Sequence, residues 1–129
     1  VVKLIDVYPD DFAEGNVNPP TAKFGGYQQL VRGDVMRGKF RNSLEKPEPF
    51  VPNQPTPVNF RLQDAAHTFR CGHKIMVQIQ STWFPLIDRN PQKFVDIYTA
   101  TEADFQKASQ RVFHSQQLPS HLELLEVVR

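Results

Sequence analysis

The sequence predicts an all-β fold, an antiparallel β-sandwich with one short helix, and two observations carry that expectation. Several short segments alternate apolar and polar residues with a period of two, and Gly, Pro, Asn and Asp separate them. Successive side chains on a strand point to opposite faces, so such alternation marks strands with one buried face.

The elements follow in order. "VKLIDVY" (2–8) reads as the first strand and "QLVRGDVMRGKF" (29–40) as the second. "EKPEPFVPNQPTP" (45–57) holds five of the eleven prolines. Proline cannot donate to a ladder and keeps its predecessor extended, so this stretch reads as a stiff surface crossover within one sandwich. In "VNFRLQ" (58–63) the inward set is Val58, Phe60 and Leu62, with Asn59, Arg61 and Gln63 facing water. In "KIMVQIQST" (74–82) the inward set is Ile75, Val77 and Ile79, opposite Lys74, Gln78 and Gln80. A slip of one residue would reverse both faces, so the pattern selects the register. "FVDIYT" (94–99), "QRVFHS" (110–115) and "HLELLEVV" (121–128) complete the set of strands. "TEADFQKAS" (101–109) is the helix: Thr101 is its N-cap, and Asp104, three residues on, comes close to a capping box.

At 129 residues the chain fits a single domain, 1–129. No apolar run approaches the length that crosses a bilayer as a helix, so no membrane partner is expected. Fifteen basic and 14 acidic residues leave a formal charge of +1, which gives no field to attract nucleic acid. The lone cysteine, Cys71, rules out an internal disulfide. The first residue is Val1 rather than Met and the first strand begins at once, so the chain reads as part of something longer. Any signal peptide would lie upstream, and the compartment is not legible.

Motifs for chemistry are weak. "GDVMRGKF" (33–40) matches a phosphate-binding loop until Phe40, which stands where a hydroxyl must reach magnesium, and it lies within an expected strand. The embedded "RGD" (32–34) lies in the same strand, whereas an adhesion tripeptide projects from a loop. Ser43, Ser81, Ser109, Ser115 and Ser120 all lack the flanking glycines of a nucleophile elbow. His114–Ser115 and Ser120–His121 are sequence neighbours, and on a strand neighbours face opposite ways. Asp10, Asp11, Glu123 and Glu126 form no evident acid pair. In "DAAHTFRCGH", Asp64, His67, Cys71 and His73 surround a Gly72 turn without a common zinc spacing. His67 and His73 are therefore read as hydrogen-bonding the corner, with no metal and no cofactor; a small metalloenzyme at His67 and His73 is a rival reading.

The end of the "KIMVQIQST" strand departs from the usual small turn formers. It runs into Trp83, Phe84 and Pro85, then Asp88, Arg89 and Asn90. These rings either cap the sandwich core or meet another domain, with Asp88 and Arg89 as the polar rim.

"VVKLIDVYPDD", the stretch from "LVRGDVMRGKF" through "HTFRCGHKIMVQIQSTWFPLIDRNP", and "QRVFHSQQLPSHLELL" together resemble one family. It is the C-terminal non-catalytic module of X-Pro dipeptidyl peptidase-like (CocE/NonD) serine hydrolases, the group of cocaine esterases, α-amino acid ester hydrolases and glutaryl acylases. The resemblance implies a jelly-roll sandwich packed on an α/β-hydrolase domain that carries the Ser-Asp-His triad, none of which maps onto this chain. Trp83, Phe84, Pro85, Asp88, Arg89 and Asn90 then become docking candidates. Family modules have further strands before "VVKLIDVYP", which implies a sandwich incomplete at its N-terminal end, with an open edge suited to self-pairing. A free-standing carbohydrate- or peptide-binding module, using the same aromatics as a platform, is the alternative.

Overall fold

The computed structural model describes residues 1–13 and 23–126. It divides into two compact units, Val1–Asn90 and Pro91–Arg129, taken here one at a time.

The first unit is built on a three-stranded antiparallel sheet of β1 (Val2–Val7), β2 (Gln28–Asp34) and β3 (Lys74–Ile79), in the order β2-β1-β3. The first strand in sequence is thus the central one, flanked on both sides, and it holds the core: Leu4, Ile5 and Asp6 are buried. Val2, Leu4 and Asp6 lie opposite Ile79, Val77 and Ile75 of β3. On the other side Leu4 pairs with Arg32 and Ile5 with Leu30, so Val31 is the extra residue of a β-bulge. β2 stops at Asp34, whose carboxylate accepts the Val35 N–H at 2.7 Å and so competes with any further ladder.

An aromatic cluster fastens the corner where β1 ends. Tyr8 packs edge-on against Phe12 (4.9 Å) and Tyr27 (5.8 Å), and Phe24 against Tyr27 (5.7 Å). The Tyr8 N–H donates to the Tyr27 carbonyl at 2.9 Å and the Tyr8 hydroxyl to Gln29 Oε1 at 2.8 Å.

Several sequence expectations are corrected. The second strand ends six residues early, at Asp34, and a single 3-10 turn at Gly38–Phe40 follows. Segments 58–63, 94–99, 110–115 and 121–126 form no strand, and 127–129 lie outside the described residues. Alternation specifies a face, but a strand also needs a neighbour to accept its N–H groups, and these segments find none among the described residues. The third strand stops at Ile79, and its apolar set, Ile75, Val77 and Ile79, is exposed rather than buried, because β3 is an edge with no second sheet over it among the described residues. The described residues thus show one three-stranded antiparallel layer and no α-helix, where the sequence predicts a sandwich.

In the second unit the predicted helix is one 3-10 turn, Glu102–Asp104. The capping box does form: Asp104 Oδ2 accepts from the Thr101 N–H at 2.9 Å and from the Thr101 hydroxyl at 3.1 Å. Polar contacts dominate this unit. Lys93 Nζ meets Asp104 Oδ1 at 2.8 Å, and Gln92 accepts from the side chains of Gln106 (2.9 Å) and Gln110 (2.7 Å).

Candidate functional site

Among the described residues a buried polar cluster centres on Asp6. Its side chain is only 2 % exposed, and both oxygens are engaged: Oδ1 with His73 Nδ1 at 2.8 Å and Oδ2 with His67 Nε2 at 2.9 Å. Burial alone would push this carboxyl up, but the two ring N–H bonds and the imidazole charges outweigh it and hold Asp6 below the ordinary carboxylate value. His73 is set by Gly72, whose φ of +86° makes the tight turn into β3, and its ring stacks 4.4 Å from Tyr8.

The expectation that His67 and His73 hydrogen-bond at the corner thus finds its acceptor, one that the sequence reading missed. Asp6 belongs to the same face of β1 as Leu4, which was the available signal. Cys71 and Asp64 stand apart from this cluster. Cys71 is exposed, while Asp64 pairs with Arg61 at 2.7 Å and gives its carbonyl to Arg32 Nη2 at 2.5 Å. Among the described residues no group of three or more His, Cys, Asp or Glu side chains is arranged to hold a metal ion.

The docking candidates divide into anchored and exposed members. Trp83 lies on the face of the sheet opposite Asp6, with Lys3 Nζ 4.6 Å from its ring centroid. A β-carbon on Gly33 would sit 2.7 Å from that ring, so glycine is what lets the indole lie on β2. The chain then turns, closed by the Ile87 N–H to the Trp83 carbonyl at 2.9 Å across a cis Phe84–Pro85 bond. This turn pushes Phe84 (64 % exposed) and Leu86 (67 %) outward. Pro85, Asp88, Arg89 and Asn90 are exposed as well, with Asp88 3.3 Å from Arg37. The sequence reading omitted Leu86, which the turn places beside Phe84.

Among the described residues the remaining motifs show no nucleophile bonded to a base. The 33–40 stretch does end in a helical turn, contrary to expectation, but the Phe50 ring fills the space over Gly38 where a phosphate would lie. The RGD tripeptide lies in β2. Ser43 Oγ accepts the N–H groups of Glu45 and Lys46, Ser115 Oγ accepts that of Leu118, and His121 lies 3.3 Å from Glu123.

The first unit thus combines a ladder-paired sheet, a buried carboxylate bonded by two histidines, and an exposed apolar turn. The chain belongs to the family of X-Pro dipeptidyl-peptidase C-terminal non-catalytic domains, whose family model matches residues 1–123. Such a domain is normally part of a larger hydrolase polypeptide. The chain is 26% identical over 122 residues to the cocaine esterase of Rhodococcus sp. (strain MB1 Bresler), covering 95% of this chain and 19% of that protein. It is also similar to the crystal structure of an aminopeptidase from the marine sediment archaeon Thaumarchaeota archaeon, at 43% identity and a TM-score of 0.70, covering 81% of this chain and 16% of the other. The chain therefore spans about a fifth of the curated relative and less of the solved one.

Proposed function

We propose that this chain is the accessory C-terminal β-module of a serine hydrolase, docking onto and steadying an α/β-hydrolase catalytic domain of the same polypeptide that cleaves ester or amide bonds. The observation that carries the reading is the Trp83–Ile87 turn, where an anchored indole supports two apolar side chains, Phe84 and Leu86, that touch solvent. Large rings are costly to leave wet, and a buried one contributes about 1.5–3 kcal/mol. Pro85 completes the apolar patch, and Asp88, Arg89 and Asn90 form a polar rim of the kind that surrounds interface cores. Of the two relatives, one is named an esterase and the other an aminopeptidase, so a module common to both suits support better than choice of substrate.

The sheet then forms one layer of a jelly-roll-like sandwich, with residues 1–129 as a single module completed by strands elsewhere in the longer polypeptide. The exposed Ile75, Val77 and Ile79 row and the unpaired alternation of 58–63 support this. In isolation the same edge invites pairing with a second copy.

The test is Phe84→Ser with Leu86→Ser in the full-length hydrolase and in the isolated chain. The full-length protein is expected to melt several degrees lower with its kcat intact, corresponding to a loss of about 2–4 kcal/mol, while the isolated chain is unaffected. An unchanged full-length melt overturns the docking assignment.

A further inference from the structure

Residues 64–73 have no ladder bonds to hold them. They run as coil into the Cys71–Gly72 turn, with Ala65, Ala66, Thr68, Arg70 and Cys71 exposed. Arg32 grips the Asp64 carbonyl at the root of this segment. Beyond that root, the side-chain hydrogen bonds from the segment to the sheet are those of His67 and His73, and both end on Asp6. Two attachments of one strap thus share a single acceptor.

We propose that Asp6 is the pin of a proton-released strap: residues 64–73 stay on the sheet while the Asp6 carboxylate accepts from His67 and His73, and neutralising it frees them while the three strands remain paired. The step balances as one proton taken up. The ionised carboxylate only accepts; once protonated, one of its oxygens bears an O–H that confronts a ring N–H, donor against donor, and the other keeps only the weaker bond of an uncharged acceptor. In acid an imidazole carries protons on both nitrogens, so the ring has no lone pair with which to receive the new donor. The strands do not share this dependence, since backbone ladders hold β1 to β2 and β3.

Among the described residues the carboxylate accepts from no Lys or Arg side chain. On β2, Gln29 lies opposite Asp6, and Arg32 on the same face is committed to the Asp64 carbonyl. On β3, Ile75 lies opposite, and Lys74 pairs with Val7 on the other face. On β1, Lys3 is over Trp83, and the Tyr8 hydroxyl is given to Gln29. In the strap, Asp64 is paired with Arg61, while Arg70 and Cys71 are exposed.

Trypsin cleavage after Arg70 and amide hydrogen exchange, both on the full chain, test this. His67→Ala at neutral pH is expected to speed cleavage after Arg70 about tenfold, the effect of losing one hydrogen bond to a charged group. His67→Gln, whose amide nitrogen reaches the Nε2 position, is expected to return within about twofold of wild type, because the charge-assisted bond is restored. In wild type, protection across 64–73, measured against the intrinsic exchange rate at each pH, should fall once the pH drops below about 4, the ordinary aspartate range, while 2–7, 28–34 and 74–79 stay protected. Cleavage that is no faster in His67→Ala, or strands that lose protection together with the strap in acid, overturns the proposal.

Discussion

Asp6 and Asp104 are both held below the ordinary carboxylate value, yet they stabilise the molecule in different ways. Asp6 is buried beneath two imidazoles, and its hydrogen bonds overcome a desolvation cost. Asp104 sits at the surface, where first the Lys93 ammonium and then the Thr101 N–H and hydroxyl bring it down to about 2. A buried carboxylate stripped of its donors, or donors stripped of their carboxylate, leaves polar groups unsatisfied; an exposed one is replaced by water. The size of a pKa shift therefore says little about how much a group matters, and burial decides.

The largest effect should come from Asp6→Ala, which leaves the buried His73 N–H and the half-buried His67 N–H without an acceptor. A loss of about 2–5 kcal/mol in urea unfolding is expected, at about 1–3 kcal/mol per unsatisfied group. His73→Ala should follow at about 2–4 kcal/mol, since it removes a 4 % exposed ring that also packs on Tyr8 and Phe12. His67→Ala, at a 20 % exposed position, should cost about 1–2 kcal/mol. If the two histidine variants prove equal, ring packing adds nothing and the carboxylate bonds account for the whole.

Gly33→Ala tests the opposite face. Its new methyl would meet the Trp83 ring, displacing it at a cost of about 1–3 kcal/mol. Trp83 is the only tryptophan, so its emission should shift to the red as the ring lifts off β2. The smallest effect is expected from Asp104→Asn, a change in urea midpoint within the scatter of the measurement.

The pH dependence separates the two carboxylates once more. Both folded-state values lie below the unfolded value, so each contribution is complete above about pH 3.9 and fades as pH falls through the folded value. For Asp104 that window reaches down to about 2. Molar salt should flatten the Asp104 contribution, where charges are open to solvent, and leave that of Asp6 nearly intact.

The three strands that form are legible from the sequence because each finds a partner: "KLIDV", "QLVRGD" and "KIMVQI" alternate and also pair. "VNFRLQ" alternates equally well and forms no strand, because the availability of a neighbour is a property of the whole fold rather than of six residues. The corner histidines are legible as hydrogen-bonding groups flanking a Gly turn. Their acceptor is not, because an aspartate within an alternating strand reads as a solvent-facing residue until the register places it beside Leu4 on a covered strand. The Trp83–Ile87 turn is half legible. The rings stand out by type, whereas the outward swing of Leu86 depends on the bond between Ile87 and Trp83, which no pattern announces.

The middle position of β1 also bears on how the molecule is made. A ribosome releases Val2–Val7 before either neighbour: the ladder on one flank awaits Gln28–Asp34, and the other flank stays bare until Lys74–Ile79 has emerged. The Gln80 N–H that closes on the Val1 carbonyl at 3.0 Å joins points nearly eighty positions apart. Contacts of such long sequence separation are late and slow to form, so until both flanks arrive Leu4 and Ile5, the buried apolar pair of β1, lack their cover.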